Sequence, residues 1–310
     1  MAGVLDGVDR RTKIAGHNRL ELLLFHLGRR QHFGINVFKV QEVIQCPPLT
    51  NVPHSHPSVR GVANMRGKTI TVMDLAMAIG QPPIQDIENA FIIITEYNRS
   101  TQGFLVGGVE RIVNLTWDSI KPPPKGVGSN YMTAVTEVED KLVEIIDVEK
   151  VLSEIIGVDE TVDEAVIEES QKEEREHVPH ILVIDDSSVA RNQIKHTLVQ
   201  IGLECTLANN GREGLDKLKE VVDADKKLRD VYDLVISDVE MPEMDGYTFT
   251  TAVREDPRMD GIYIILHTSL SGVFNQSLVE KVGANKFISK FNPDELANAV
   301  LDQLRKQASL

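Results

Sequence analysis

The chain has 310 residues, of which 42% are hydrophobic and 5% aromatic, and a formal net charge of −14. That length and apolar content support two folded units of ordinary size, and the negative balance excludes the Lys/Arg excess that a nucleic-acid surface needs. The longest apolar runs, such as Phe91–Ile94, are far too short to span a membrane.

Residues 1–18 are polar, without the apolar core of a signal peptide, and read as a flexible leader on a cytoplasmic protein. The two cysteines, Cys46 and Cys205, fall in different expected units, which argues against a disulfide framework or a cysteine metal site. From Leu20 the pattern is of short strands broken by Gly and Pro. Leu20–Leu27 and His32–Val37 read as a hairpin. The spacing of Val40, Val43 and Ile44 admits a short helix or a strand. Arg66-Gly67-Lys68 reads as a hairpin tip between Val59–Met65 and Thr69–Leu75, with Gly67 supplying positive φ. Further strands are expected over residues 90–95, 104–107, 111–115, 132–138 and 141–146. This is an all-β signal, best housed in a barrel or paired barrels, over residues 19–152.

Residues 151–178 hold ten acidic and two basic side chains. Like charges repel and stay solvated, so 153–178 reads as an acidic linker. Val151, Leu152, Ile155 and Ile156 predict that a helix docked on the β unit leads into it.

From Pro179 the pattern changes to strand–helix alternation. Ile181–Ile184 is apolar without alternation, as in a strand buried on both faces. Strands are also expected at 203–208, 234–237, 263–267 and 286–289, each followed by a helix. Gly202 sits where a helix C-cap glycine belongs, and Pro293 opens the last helix. Five such repeats over 179–310 predict an α/β doubly wound parallel sheet.

In such a sheet all strand C-terminal ends share one edge. That edge would carry Asp185 and Asp186, then Asp238, then Thr268-Ser269, then Lys290. A carboxylate trio in one crevice is electrostatically costly unless a cation joins it. Magnesium fits, since it takes oxygen ligands and shares them with phosphate. Asp238 can then serve as a nucleophile toward phosphorus, with Lys290 and Thr268 meeting the phosphoryl oxygens. An Asp-Asp pair before a helix is by itself commonly a cap; it is the set on four strand ends that carries weight. His267 reads as a strand-end residue, and His54 and His56 as loop residues.

That set resembles a response-regulator receiver domain, a flavodoxin-like fold. The resemblance implies magnesium held by Asp185, Asp186, Asp238 and the Glu240 backbone carbonyl, an aspartyl phosphate on Asp238, and a switch involving Thr268, Lys290 and the aromatic Phe287. Phe287 lacks the tyrosine hydroxyl of many relatives, so their hydrogen-bonded switch does not carry over. Phe291 follows Lys290 where many receivers have proline, which leaves the cis peptide of that loop open and the role of Lys290 unchanged.

The first unit contains no nucleophile–base pair and no phosphate loop in a strand–helix setting. Its stretches Phe33–Val37, Val40–Ile44, Val59–Gly67, Val72–Leu75 and Leu142–Asp147 resemble the CheW adaptor family, which implies two small β-barrels. Arg66 matches the arginine of that family's Asn-Leu-Arg-Gly motif, with Met65 for Leu, and is a candidate partner-binding residue. A CheW-like double barrel followed by a receiver is the arrangement of the CheV family. It implies a non-enzymatic scaffold coupling chemoreceptor tips to the histidine kinase CheA, with CheW as a further candidate partner, recruited to receptor arrays and regulated through Asp238. One alternative is a phosphate sink for the kinase. A magnesium-dependent aspartyl phosphatase is another, although such enzymes carry a second Asp where Glu240 stands.

Overall fold

The structure, a computed structural model, describes residues 19–28, 30–97, 100–123, 131–157, 161–172, 177–268 and 282–308. The leader 1–18 and Ser269 lie outside them. The chain divides into two compact units, Arg19–Val158 and Asp159–Leu310.

The first unit is built on two five-stranded sheets. One has the order β8 (Gly108–Thr116), β1 (Arg19–His26), β2 (His32–Asn36), β10 (Lys141–Ile146), β9 (Met132–Val138). The other runs β3 (Val40–Gln45), β6 (Phe91–Tyr97), β7 (Ser100–Val106), β5 (Lys68–Asp74), β4 (Val59–Met65). The open 40–44 question resolves as strand β3, entered by a single 3-10 turn over Val37–Lys39. Most pairs are antiparallel, with one parallel pair in each sheet, β10 with β2 and β5 with β7.

A sheet with two edges exposes unpaired backbone, and each of these sheets curls to meet its own other edge. Thr50, just past β3, bridges to Val62 on β4; Lys121, just past β8, bridges to Val135 on β9. The Thr50 bridge runs through backbone bonds of 2.9 and 2.8 Å in both directions. It needs Gly61, whose φ of 145° is closed to most side chains and whose missing Cβ would strike the Thr50 carbonyl. Phe25, Phe33 and Ile35 of the first sheet and Val72, Ile92 and Phe104 of the second bury into one apolar cluster. Leu20, Leu22, Leu24, Val143 and Ile145 form a second cluster on the opposite face of β1, because successive strand residues point to opposite sides.

Two helices complete the unit. Asp74 caps α1 (Leu75–Ala78) through the Met77 amide and also accepts from Ile84, at 3.2 and 3.0 Å. Asp147 caps α2 (Val148–Ile156), accepting from Lys150 at 3.0 Å, and burial pushes its carboxyl above the usual range. Val151 and Leu152 of α2 enter the core as expected, whereas Ile156 stays exposed.

The second unit has the strand order β12 (Glu204–Ala208), β11 (His180–Ile184), β13 (Leu234–Ser237), β14 (Tyr263–Thr268), β15 (Lys286–Ser289), every neighbouring pair parallel. This is the 2-1-3-4-5 order whose switch point lies beside the first strand. Among the described residues its helices are α3 (Glu164–Gln171), α4 (Ser188–Gln200), α5 (Gly211–Asp223), α6 (Gly246–Glu255) and α7 (Pro293–Ala308); the helix expected after β14 lies outside them. Gly202 follows α4 with φ 74°, as a C-terminal glycine should. The central strands β11 and β13 are buried at nearly every residue, which their unbroken apolar runs required.

Helix α3 differs from the sequence-based expectation. It lies inside the stretch read as a solvated acidic linker, yet Val162, Val166 and Ile167 pack into the apolar cluster formed by α4 and α7. The charge run misled because only the outer face of this segment is acidic.

Gly61→Ala should strain the Thr50 bridge and destabilise the first unit by about 1–3 kcal/mol, read as a lower denaturant midpoint with the transition of the second unit unmoved.

Candidate functional site

The carboxyl ends of β11, β13 and β15 bring Asp185, Asp238 and Lys290 together. The Lys290 ammonium lies 2.7 Å from Asp185 Oδ2 and 2.9 Å from Asp238 Oδ2. All three side chains are almost entirely buried. The arrangement is a two-carboxylate, one-ammonium bridge, which lowers the cost of desolvating each member. Asp186 is half-buried, and one carboxylate oxygen from each of Asp185, Asp186 and Asp238 lies within 4.8 Å of the others.

Local hydrogen bonds fix the carboxylates. Asp185 Oδ1 accepts from the Ser187 amide at 2.9 Å, and Asp238 Oδ1 from the Val239 amide at 2.7 Å. Capping of α4 falls to the Ser187 hydroxyl, which accepts from the Ala190 amide. The acidic pair is therefore not the cap, and its carboxylates face the cluster. Arg191, one turn into α4, donates from Nη1 to the Asp185 carbonyl. After β13, Asp245 caps α6 through the Thr248 amide and hydroxyl at 2.7 and 2.9 Å. Gly246 closes that loop, donating to the Val239 carbonyl at 2.9 Å; a Cβ there would strike the Asp238 carbonyl.

Thr268 is buried at the end of β14, and its carbonyl accepts from the Lys290 amide at 2.8 Å. The Lys290–Phe291 peptide is cis although no proline is present, so the bond carried over after all. Phe291 is buried with its ring edge-on to His267 at 5.5 Å. His267 is thus a packing partner of the loop that carries Lys290. Phe287, on β15, is half-buried against the apolar cluster of α5 and α6. Glu240 follows Asp238 by two residues in the loop, with its side chain half-buried. Nearby, burial first and then the charges of Glu240, Asp245 and Asp238 push the Tyr247 phenol well above its ordinary range.

Sequence reasoning did not single out Ser187, Arg191 or Gly246. The Ser-rich helix entry after the Asp pair was the available signal for Ser187. Gly246, in an Asp-Gly pair, carries only the signal of an ordinary turn, since the missing Cβ matters only once α6 is folded back on β13.

In the first unit, Arg66 sits at the tip between β4 and β5 with its side chain 82% exposed and 2.7 Å from Glu42 Oε1. Both Arg66 and Gly67 have positive φ, 49° and 82°, as a two-residue hairpin turn of this hand requires. The Asn64 side-chain oxygen accepts from the Gly67 amide at 3.2 Å and fixes the turn.

Residues 21–156 match the CheW-like domain family, and residues 181–301 the response regulator receiver domain family. Chemotaxis protein CheV3 of Helicobacter pylori is 33% identical over 286 residues, covering 89% of this chain and 89% of its own length. The chain belongs to the CheV family. CheV architecture is a coupling adaptor joined to a phosphorylatable receiver, and single-unit relatives match each part. CheW of Klebsiella aerogenes is 28% identical over 46% of this chain and 87% of its own. CheY1 of Helicobacter pylori is 39% identical over 37% of this chain and 89% of its own. In this CheV chain helix α3 lies between the two matched segments and belongs to neither. Among the described residues no helix is long and apolar enough to cross a membrane.

Lys290→Met leaves two carboxylates facing each other without their cation. It should lower receiver stability by roughly 3–5 kcal/mol. Titrated Mg²⁺ should raise the denaturation midpoint more in the variant than in the wild type, because it supplies the missing charge.

Proposed function

We propose that this CheV chain couples chemoreceptors to the histidine kinase CheA through its CheW-like unit, and that phosphorylation of Asp238 controls the coupling. The observation that carries the reading is the buried Lys290 ammonium held between Asp185 and Asp238 at three strand ends. Asp238 is the acceptor in this reading because it alone follows the central strand at the switch point, where ligands collect.

The donor set suits magnesium: three carboxylates with ligand atoms mutually within 4.8 Å, joined by the Glu240 carbonyl in the adjoining loop. When bound, the ion neutralises the carboxylates and polarises the phosphoryl oxygens. The chain's own residues do the rest. A carboxylate oxygen of Asp238 attacks phosphorus in the kinase's phosphohistidine. The P–N bond breaks, and the imidazole leaves and takes up a proton. Lys290 follows the new charge, near −2, and leaves Asp185. Thr268 offers its hydroxyl to a phosphoryl oxygen, and Phe287, half-buried, is placed to repack.

Arg66 is the candidate contact to a receptor or kinase partner. Its guanidinium is exposed on a turn whose backbone is fixed, and its pairing with Glu42 exchanges readily for a partner carboxylate. The protein acts as an adaptor at receptor arrays in the cytoplasm, with no turnover of free phosphate esters.

Reconstitution with receptor, CheA and ATP tests this reading. Wild-type protein should take up one base-labile phosphoryl group from phospho-CheA and alter receptor-controlled kinase output. Asp238→Asn should take up none and hold output at the unphosphorylated level. Label retained by Asp238→Asn would remove the acceptor assignment. Label without any change of output at saturating adaptor would leave a phosphate sink. Arg66→Glu should weaken recruitment to receptor–kinase assemblies by roughly tenfold or more, as loss of a hot-spot arginine does, with phosphorylation by small donors unchanged.

A further inference from the structure

Helix α3 and the residues before it lie on the receiver, across α4 and α7. Val162 is completely buried, and Val166 and Ile167 pack beside it in the apolar cluster of Ile194, Leu198, Leu301 and Leu304. Polar contacts fix the register. The Val162 amide donates to Gln200 Oε1 at the end of α4, at 3.0 Å. The Asp163 amide donates to Asp294 Oδ1 in the first turn of α7, at 2.8 Å. Glu169 pairs with Arg305 near the other end of α7, at 3.0 Å. A solvated spacer would make none of these contacts.

Both helices it grips start beside the acidic site. Helix α4 is capped by Ser187, whose amide donates to the Asp185 carboxylate. Helix α7 begins three residues after Lys290, with Asn292 accepting from the Glu295 amide at 3.0 Å. Phe291, directly bonded to Lys290, is buried in the same apolar cluster as Val162. Packed side chains of this kind have discrete arrangements rather than continuous give.

We propose that residues 161–172 are a strap whose docking on the α4–α7 face is coupled to the state of Asp238, so that phosphorylation loosens it. The proposal rests on the reading of Asp238 as the acceptor. In the unphosphorylated state Lys290 bridges Asp185 and Asp238, and Phe291 and Val162 belong to one apolar cluster. A phosphoryl group on Asp238 draws the ammonium away from Asp185, shifts the 290–291 backbone, and disturbs the cluster through Phe291. The strap continues N-terminally toward the CheW-like unit, so its release changes the length and stiffness of the connection. This gives a route from phosphoacceptor to adaptor that requires no direct contact between the two units. Coupling is reciprocal: a loosened strap favours the phosphorylated state by the same factor.

Amide hydrogen exchange on the full-length wild-type protein, with Mg²⁺ and with or without acetyl phosphate, tests the proposal. Mass measurement of the same sample counts phosphoryl groups. The amides of residues 162–171 should exchange at least about fivefold faster in the phosphorylated protein, the lower bound of ordinary coupling. Asp238→Asn should show no change with the same reagents. Unchanged or slower exchange in protein carrying the phosphoryl group overturns the strap proposal and leaves the acceptor assignment intact. Absence of a phosphoryl group, or its presence on Asp238→Asn, instead overturns the acceptor assignment on which the strap depends. In the reciprocal experiment, Val162→Asp/Ile167→Asp should bind beryllofluoride, an equilibrium stand-in for the phosphoryl group, about fivefold more tightly in the presence of Mg²⁺; unchanged or weaker binding counts against the proposal. The wild-type exchange measurement requires no variant, so the test stands even where the double variant fails to fold.

Discussion

The second unit depends on one ammonium. Three carboxylates gathered at neighbouring strand ends would repel one another and resist burial. Lys290 reaches two of them at once, and this is possible only because the strand order places β15 on the same carboxyl edge as β11 and β13. The site is consequently held by charge balance and not by shape. Any charge added to the cluster must therefore be met by a compensating one. The helix caps serve the same end. Ser187 and Asp245 satisfy the first-turn amides of α4 and α6, so the carboxylates of the cluster need not do so.

The CheW-like unit is held differently. Its two sheets depend on edge closure through short bridges at Thr50 and Lys121 and on apolar side chains from both sheets. Among the described residues, the one group of three or more neighbouring side chains able to hold a metal is in the receiver. The division of chemistry follows from this. One unit carries charge that can change, and the other presents a fixed surface, including a two-residue turn that offers Arg66 to solvent.

The unbroken apolar runs at 181–184 and 234–236 made the parallel sheet legible, because strands buried on both faces admit little else. Once the sheet was placed, the strand-end residues Asp185, Asp238, Thr268 and Lys290 followed, since topology alone puts them on one edge. What sequence did not reveal depends on close approach between distant segments. Gly61 is one glycine among many until Thr50 crosses it, and Gly246 reads as a turn until α6 is seen against Asp238. The cis bond after Lys290 lacked its proline signal. Helix α3 was hidden for a different reason. Its apolar residues are few and sit among acidic ones, and its pattern is only weakly amphipathic, so composition pointed to solvent. Its stability comes from the receiver it lies on and not from its own propensity.

That last point changes how the acidic stretch works. A like-charged segment with no apolar anchor would isolate the two units and pass nothing between them but a tether. Three apolar side chains and two backbone donors turn its residues 162–167 into part of the receiver. The acidic residues that remain outward keep the segment soluble when it is released, so undocking carries little risk of aggregation. A strap of this kind must be marginal to be useful. If it were as apolar as α7 it would never leave, and if it were wholly acidic it would never dock. The mixture of Val162, Val166 and Ile167 with the four acidic residues Asp163, Glu164, Glu168 and Glu169 places it between those limits.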